Sequence, residues 1–215
     1  MNYEQMNNNK VYLTGRVISK PTFSHDVMGE GFYEVRLAVK RISEQEDIIP
    51  VTISERLFKD NEIILNETLC VEGQFRSYNK LEESKSRLML TVFVREILEY
   101  DEERNPNIIE LTGYVCKPTI YRTTPFKREI CDILLAVNRA YNKSDYIPCI
   151  AWGRNARYSQ NFQIGEQITV SGRIQSREYQ KLIDGETITK IAYEVSVNKI
   201  ASANENAEEC ASTTY

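Results

Sequence analysis

The chain has 215 residues, of which 41% are hydrophobic and 27% are charged, and its formal net charge is -4. These proportions are typical of a soluble globular protein, and no apolar run approaches the ~20 residues that cross a bilayer. The first nine residues are polar, without the basic start and apolar stretch of a signal peptide. We therefore expect a cytoplasmic protein with no membrane contact.

Two copies of one pattern follow each other along the chain, offset by 97 to 99 residues. The paired motifs include Leu13-Thr14-Gly15 with Leu111-Thr112-Gly113, Lys20-Pro21-Thr22 with Lys117-Pro118-Thr119, and Leu37-Ala38-Val39 with Leu135-Ala136-Val137. Solenoid repeats have units of about 20–50 residues, so a period this long indicates a duplicated domain.

Apolar and polar residues alternate over 34–40 and 88–94 in the first copy, and over 131–139 and 191–197 in the second. A period of two predicts β-strands with one buried and one solvated face. Glycines within such patterns, at Gly15, Gly73, Gly113 and Gly172, indicate bulges or sharp bends at barrel corners.

One helix-like stretch follows the third strand of each copy, at about 55–65 and about 154–162. Five strands with a helix between the third and the fourth form the OB-fold, a small Greek-key barrel. The sequence therefore predicts an all-β protein of two tandem OB-folds, each with one short helix between strands 3 and 4. The expected divisions are a disordered N-terminus at 1–9, a first OB-fold at 10–99, a linker at 100–107, a second OB-fold at 108–200 and a disordered tail at 201–215.

The two copies differ in charge. Residues 1–105 have 14 Lys or Arg and 19 Asp or Glu, residues 106–200 have 13 and 9, and residues 201–215 have none and three. Screening limits the reach of a surface charge to about 8–10 Å, so a basic second copy can bind phosphates within an acidic chain.

The sequence has no motif that favours catalysis or a metal site. Five cysteines show no paired CxxC spacing, and the single histidine, His25, has no Cys or His nearby. A Gly-rich phosphate loop is also missing, and one histidine limits base catalysis. We expect a protein that is not an enzyme and that uses no metal or cofactor.

Two motifs of the second copy lie at the third strand with the start of the helix and at the fourth strand. They are Tyr146-Ile147-Pro148-Cys149-Ile150-Ala151-Trp152-Gly153-Arg154 and Val170-Ser171-Gly172-Arg173-Ile174-Gln175-Ser176-Arg177-Glu178-Tyr179. From about residue 109 to 200 the chain resembles the bacterial single-stranded DNA-binding proteins, the SSB family, here in a tandem form with two OB-folds. The resemblance implies a non-catalytic, nucleoid-associated binder of single-stranded DNA in replication, recombination or repair.

The resemblance also implies four aromatic residues that stack on bases: Tyr141, Tyr146, Trp152 and Tyr179. Cations that follow the phosphates are expected near them, namely Arg139, Lys143, Arg154, Arg177 and Lys181. For Tyr146 and Trp152, packing against the barrel explains the residue as well as stacking does. Arg154 is equally well explained as part of the solvated face of the helix.

The first copy lacks this set. At the matching positions it has Ser43, Ile48, Ser54 and Lys80. Only the stretch with Arg76 and Tyr78 still combines a basic side chain with an aromatic side chain. We expect the first copy to serve assembly or partner contact, with Arg76 and Tyr78 as a secondary DNA contact.

An alternative hypothesis is a PriB-like OB module that binds proteins and has weak affinity for nucleic acid. SSB proteins recruit other replication proteins through an acidic tip that ends in Pro-Phe. This sequence has no such tip, and in this respect it is similar to tail-less relatives such as the primosomal replication protein PriB. The expected partners are single-stranded DNA, replication or repair proteins and a second copy of the chain. A homodimer would supply four OB-folds, with the acidic first copy in the contact.

Overall fold

The structure is a computed structural model that describes residues 7–82, 85–183 and 186–202. The first half contains β1 (Asn9–Val17), β2 (Thr22–Val27), β3 (Glu30–Lys40), β4 (Glu46–Ser54), α1 (Glu55–Asp60), β5 (Thr68–Glu82) and β6 (Lys85–Leu98). The second half contains β7 (Asn107–Val115), β8 (Ile120–Thr123), β9 (Glu129–Arg139), β10 (Lys143–Trp152), α2 (Arg154–Ser159), β11 (Gln167–Ile183) and β12 (Glu186–Ser202).

Each half closes five strands into a barrel. In the first barrel, β1 pairs with β3 and β5, β3 with β4, β5 with β6, and β4 with β6 in parallel. The second barrel repeats this with β7, β9, β10, β12 and β11. Each helix lies between the third and fourth barrel strands, so the predicted all-β fold of two tandem OB-folds is confirmed.

A sixth strand in each half was not predicted. β2 and β8 pair with the outer sides of β3 and β9, and every residue in them is exposed. Without a buried face they lack the alternation of apolar and polar residues by which a strand is predicted. The helices are also shorter than predicted, at six residues each. Neither helix is long and apolar enough to cross a membrane, within the part of the chain that the structure describes.

Most of the alternating apolar residues point into the barrels, whereas Leu88 and Ile191 at the ends of the predicted runs lie outside the core. Val35, Leu37 and Val39 on β3 are fully buried, and buried side chains of both barrels form one continuous core. The strand register shifts at Gly73 and Gly172, as the glycine pattern predicted. Gly15 and Gly113 instead pair with Leu69 and Ile168 in an unbroken register. A Cβ at Gly73 would lie 2.2 Å from the carbonyl oxygen of Phe93, and a Cβ at Gly172 would lie 2.1 Å from that of Ser196, so only glycine fits without a shift of the backbone.

The barrels are joined through their first strands. β1 and β7 pair antiparallel, with Asn9 opposite Leu111 and Leu13 opposite Asn107. The side-chain amide of Asn9 donates to the carbonyl of Phe75 at 2.8 Å and accepts from its N–H at 2.8 Å. Asn107 forms the equivalent pair of hydrogen bonds with Ile174. The two barrels therefore share one sheet of twelve strands and are related by an approximate twofold.

The ends of the first and last strands can be compared with the expected domain boundaries. β1 begins at Asn9, and β12 ends at Ser202. Residues 1–6 and 203–215 of the expected tails lie outside the described residues. Arg104, in the connection, stacks on Tyr12 with its Cζ 3.5 Å from the ring centroid. The exact domain boundaries stay a prediction, because β1 and β7 are paired across the division.

Candidate nucleic-acid interface

Tyr146 and Trp152 lie on the outward face of β10. Ile147, Cys149 and Ala151 of the same strand point into the core, so Tyr146 and Trp152, which alternate with them along the strand, point outward. Tyr146 is 47% exposed and Trp152 is 36% exposed. Their separation of six residues corresponds to about 20 Å along a strand. Two aromatic rings are thus displayed in line on one face of the second barrel.

The ring of Trp152 is oriented by a hydrogen bond. Its Nε1–H donates to the hydroxyl oxygen of Ser196 on the neighbouring strand β12 at 3.2 Å. The ring therefore reaches across from β10 to β12 and still contacts solvent. Gly153 follows with φ of 53°, a left-handed conformation that turns the chain into α2. Arg154, the first residue of α2, is exposed beside it.

Tyr141 lies in the turn that joins β9 to β10 and is 82% exposed. Tyr141 and Asn142 have φ values of 63° and 55°, which non-glycine residues adopt uncommonly. The turn thus holds a large ring out in solvent, where hydrophobic packing gives no reason for it. Lys143, at the start of β10, is exposed next to it.

Tyr179 lies on β11 where that strand extends beyond the barrel, and it is half-buried. It lines a cavity of about 190 Å³ between the barrels, together with Leu88 of β6, Pro148 of β10 and Tyr193 of β12. The guanidinium of Arg177 lies 5.9 Å from the Tyr179 ring centroid, and its Nε is 3.8 Å from a carboxylate oxygen of Glu194.

The predicted cations fall into two groups. Lys143, Arg154 and Arg177 are exposed beside the aromatic residues of the second barrel. Arg139 and Arg76 are instead partly buried near the junction of the two barrels. Tyr78 is exposed on β5. The side chain of Lys181 lies outside the described residues.

Arg139 belongs to a polar network between the barrels. Its guanidinium lies 3.4 Å from the carboxylate of Asp145, which is buried. The same carboxylate accepts from the backbone N–H of Ser77 in the first barrel at 2.8 Å. The backbone N–H of Tyr146 donates to the hydroxyl of Ser77 at 2.8 Å. Tyr146 is therefore anchored at the junction, which places one candidate stacking residue close to the first barrel.

A second copy of this network lies on the other side of the approximate twofold. The buried carboxylate of Asp47 accepts from the backbone N–H of Ser176 at 2.7 Å and from the guanidinium groups of Arg41 and Arg173. Hydrogen bonding to Asp47 raises the pKa of Arg41, whereas burial and the charge of Arg41 lower the pKa of Arg173. Asp47 and Asp145 had not been predicted as junction residues, although they recur at the repeat offset of 98 residues.

The described residues contain no group of three or more His, Cys, Asp or Glu side chains that could hold a metal. Within the same part of the chain, Cys70, Cys116, Cys131 and Cys149 are free thiols. Burial raises the pKa of Cys149 strongly, so that thiol is not a nucleophile at neutral pH.

Known proteins match the chain in sequence and in fold. The model of the single-strand binding protein family matches residues 106–202. Single-stranded DNA-binding protein 2 of Listeria monocytogenes is 31% identical over 118 residues, which cover 51% of this chain and 72% of that protein. Single-stranded DNA-binding protein 1 of Staphylococcus aureus is 35% identical over 81 residues, or 34% of this chain, and the match spans about half (48%) of its length.

Among solved structures, the wild-type single-stranded DNA binding protein from Thermus aquaticus superposes with a TM-score of 0.69. The match covers 90% of this chain and 92% of that one, at 19% sequence identity. At this identity the likeness concerns the fold alone, and it extends over both barrels.

Proposed function

Because the chain belongs to the single-strand binding protein family, we propose that it binds single-stranded DNA without catalysing a reaction, in replication, recombination or repair at the nucleoid. The second OB-fold makes the main contact. The observation that carries this proposal is the outward row of Tyr146 and Trp152 on β10, with Tyr141 held in solvent at the start of that strand.

Bases stack on these rings, and each stacked base contributes about 1–3 kcal/mol. The hydrogen bond from Trp152 to Ser196 orients the ring before DNA binds, so less side-chain entropy is lost on binding. The single-stranded DNA lies along β10, from the turn at Tyr141 to the start of α2. Lys143 and Arg154 stand at the two ends of this path and contact phosphates.

Tyr179 and Arg177 extend the surface toward the first barrel. The Tyr179 ring lines the cavity beside Leu88 and Pro148, and its half-burial leaves part of the ring for a base. Arg177 is more than half exposed and contributes a phosphate contact, although Glu194 offsets part of its charge. Arg139 supports the surface indirectly, because it pairs with Asp145 beneath Tyr146.

A salt titration with poly-dT and with duplex DNA tests the proposal. The fluorescence of Trp152, the only tryptophan, should be quenched by stacked bases, and affinity for poly-dT should exceed that for the duplex at every salt concentration. The logarithm of the affinity should fall linearly with the logarithm of the salt concentration. Equal affinity for both polymers would contradict the proposal. Micromolar or weaker binding to an oligomer of about 30–40 nucleotides at physiological salt would favour the protein-binding alternative.

We further propose that two chains form a homodimer with four OB-folds. Each chain contains two barrels, so a twofold pair supplies four, and Ile108 and Tyr114 are exposed on the outer face of β7. Pairing of β1 with β7 already covers two strand edges within one chain. The homodimer therefore does not need strand-edge pairing between the two chains. Light scattering separates a chain of 25.0 kDa from a dimer of about 50 kDa.

A further inference from the structure

The first barrel displays a row of aromatic rings on its outward face. The imidazole of His25 on β2 lies parallel to the ring of Phe32 on β3, with centroids 5.0 Å apart and an interplanar angle of 10°. Phe32 contacts Phe93 on β6 at 5.5 Å between centroids. The guanidinium of Arg76 on β5 lies over Phe93, 3.8 Å from its centroid. The row thus combines side chains of β2, β3, β6 and β5, and it passes over β4, which lies between β3 and β6.

This row is separate from the core of the barrel. Val35 and Leu37 of β3 and Val92 and Val94 of β6 belong to the continuous core inside the barrels, a cluster that contains neither Phe32 nor Phe93. Phe32 is only 7% exposed, because His25 and Phe93 cover it on the outside of the barrel. The imidazole of His25 is exposed at the end of the stack.

The row occupies the place that Trp152 occupies in the second barrel. Phe93 and Ser196 correspond, because each precedes the valine that pairs with the bulge glycine of its barrel. Trp152 reaches over Ser196 from β10, and its own counterpart at the end of β4 is Ser54. Both barrels therefore place an aromatic ring at the same point of the face, but from neighbouring strands.

Two cations stand beside the row. Arg95 is exposed, with its Cζ 5.5 Å from the Phe93 centroid. The Nε of Arg76 is buried and has no hydrogen-bond partner among the described residues. Burial and the charges of Arg95 and Arg139 lower the pKa of Arg76 to about 10, so the group stays charged at neutral pH. An anion such as a DNA phosphate would offset the repulsion between these guanidinium groups.

We propose that His25, Phe32, Phe93, Arg76 and Arg95 form a second binding surface for single-stranded DNA, on the first barrel. An unpaired base stacks on the exposed side of His25, and a phosphate lies against Arg95. The proposal rests on the proposed function and extends it to the barrel that lacks the family's aromatic positions. It gives that barrel a role in DNA binding beyond assembly.

Substitutions of His25 in the full chain test the surface. The probe is an oligo-dT of about 35 nucleotides, which is long enough for two OB-folds at about 4–16 nucleotides each. His25→Leu still covers Phe32 but lacks a flat π surface, and it should weaken binding by about 5- to 150-fold, the loss of one stacked base. His25→Phe keeps a flat ring and should bind within about twofold of wild type. Tyr100→Ala removes an exposed ring from the connection between barrels and serves as the control.

The outcomes separate this proposal from the proposed function. A wild-type chain that fails to bind the oligomer overturns both. A wild type that binds, with His25→Leu unchanged, overturns only the second surface. Photocrosslinking of a 5-iodouracil oligomer to the wild-type chain gives an independent readout that needs no variant. Crosslinks at His25 or Phe93 support the second surface, and crosslinks confined to the second barrel overturn it.

Discussion

The two barrels have the same strands in the same order, but they differ in what they display. On the second, Trp152 reaches from β10 to Ser196 of β12, whereas on the first Phe93 projects from β6 itself and Ser54 ends β4. Each barrel also has an arginine–glutamine pair beside its ring, and the two residues of the pair occupy opposite positions in the two barrels. Arg76 donates to Gln74 in the first barrel at 2.9 Å, and Arg173 donates to Gln175 in the second at 3.1 Å, with arginine and glutamine in swapped positions.

The exchange shows which positions the duplicated fold holds fixed. Residues that point inward, the bulge glycines Gly73 and Gly172, and the junction carboxylates Asp47 and Asp145 are shared by both copies. All of these are buried or sterically confined, so a change at one of them costs stability. Exposed outward positions have no such restriction, and the two barrels place an aromatic ring at the same point of the face from neighbouring strands.

The largest expected effect is the loss of unfolding free energy when a junction carboxylate is removed, and it should differ between the two junction networks. Asp47→Ala should destabilise the chain by about 3–5 kcal/mol, because it leaves the guanidinium groups of Arg41 and Arg173 partly buried without their carboxylate. Asp145→Ala should cost less, about 1–3 kcal/mol, since its single arginine contact is longer, at 3.4 Å. Urea unfolding measures both free energies.

Asp132→Ala is the matched control for these two variants. Asp132 pairs with Arg122 at 2.8 Å on the exposed surface, where a salt bridge contributes about 1 kcal/mol or less. Equal unfolding free energies for all three variants would mean that the junction is no more sensitive than the surface.

The bulge glycines should give equal effects in the two barrels. Gly73→Ala and Gly172→Ala each bring a Cβ into a backbone carbonyl oxygen, and each should cost about 1–3 kcal/mol because the strand must shift. Thermal unfolding of both variants checks this symmetry. Ser171→Ala, next to Gly172, should stay within about 0.5 kcal/mol of wild type. A cost for only one glycine would show that the barrels are not equally rigid.

Loss of Tyr141 should affect binding and leave stability unchanged. Tyr141→Ala removes a ring that is mostly in solvent, so it should weaken binding to oligo-dT by about 1–3 kcal/mol without lowering the unfolding midpoint. Phe126→Ala in the exposed turn between β8 and β9 is the control for a ring outside the proposed path. Unchanged affinity of Tyr141→Ala would remove this residue from the DNA-binding surface.

The smallest effect concerns single phosphate contacts. Arg154→Ala should reduce the slope of log affinity against log salt by about 0.7, the value for one phosphate on a single strand. Arg95→Ala makes the same measurement on the first barrel, and similar slopes would indicate that both surfaces contact the strand. Arg122→Ala, which removes an arginine already paired with Asp132, should leave the slope unchanged.

The sequence alone determined the strand content, the duplication and the position of the main aromatic row. Each follows from neighbours along the chain: the period of two that buries Val35, Leu37 and Val39, the offset of 97 to 99 residues, and the motif that ends in Trp152. The exposed strands β2 and β8 could not be predicted, because they have no buried face to impose a pattern.

Only the tertiary structure decided which residues meet across strands and between barrels. β1 pairs with β7, Asp145 meets Ser77, and Arg139, a predicted phosphate contact, pairs with Asp145 at the junction. Likewise His25, Phe32 and Phe93 lie far apart in the chain and stack only because β2, β3 and β6 lie on one face. Such contacts depend on strand register and barrel closure, which are long-range pairings that a local pattern of residue types does not specify.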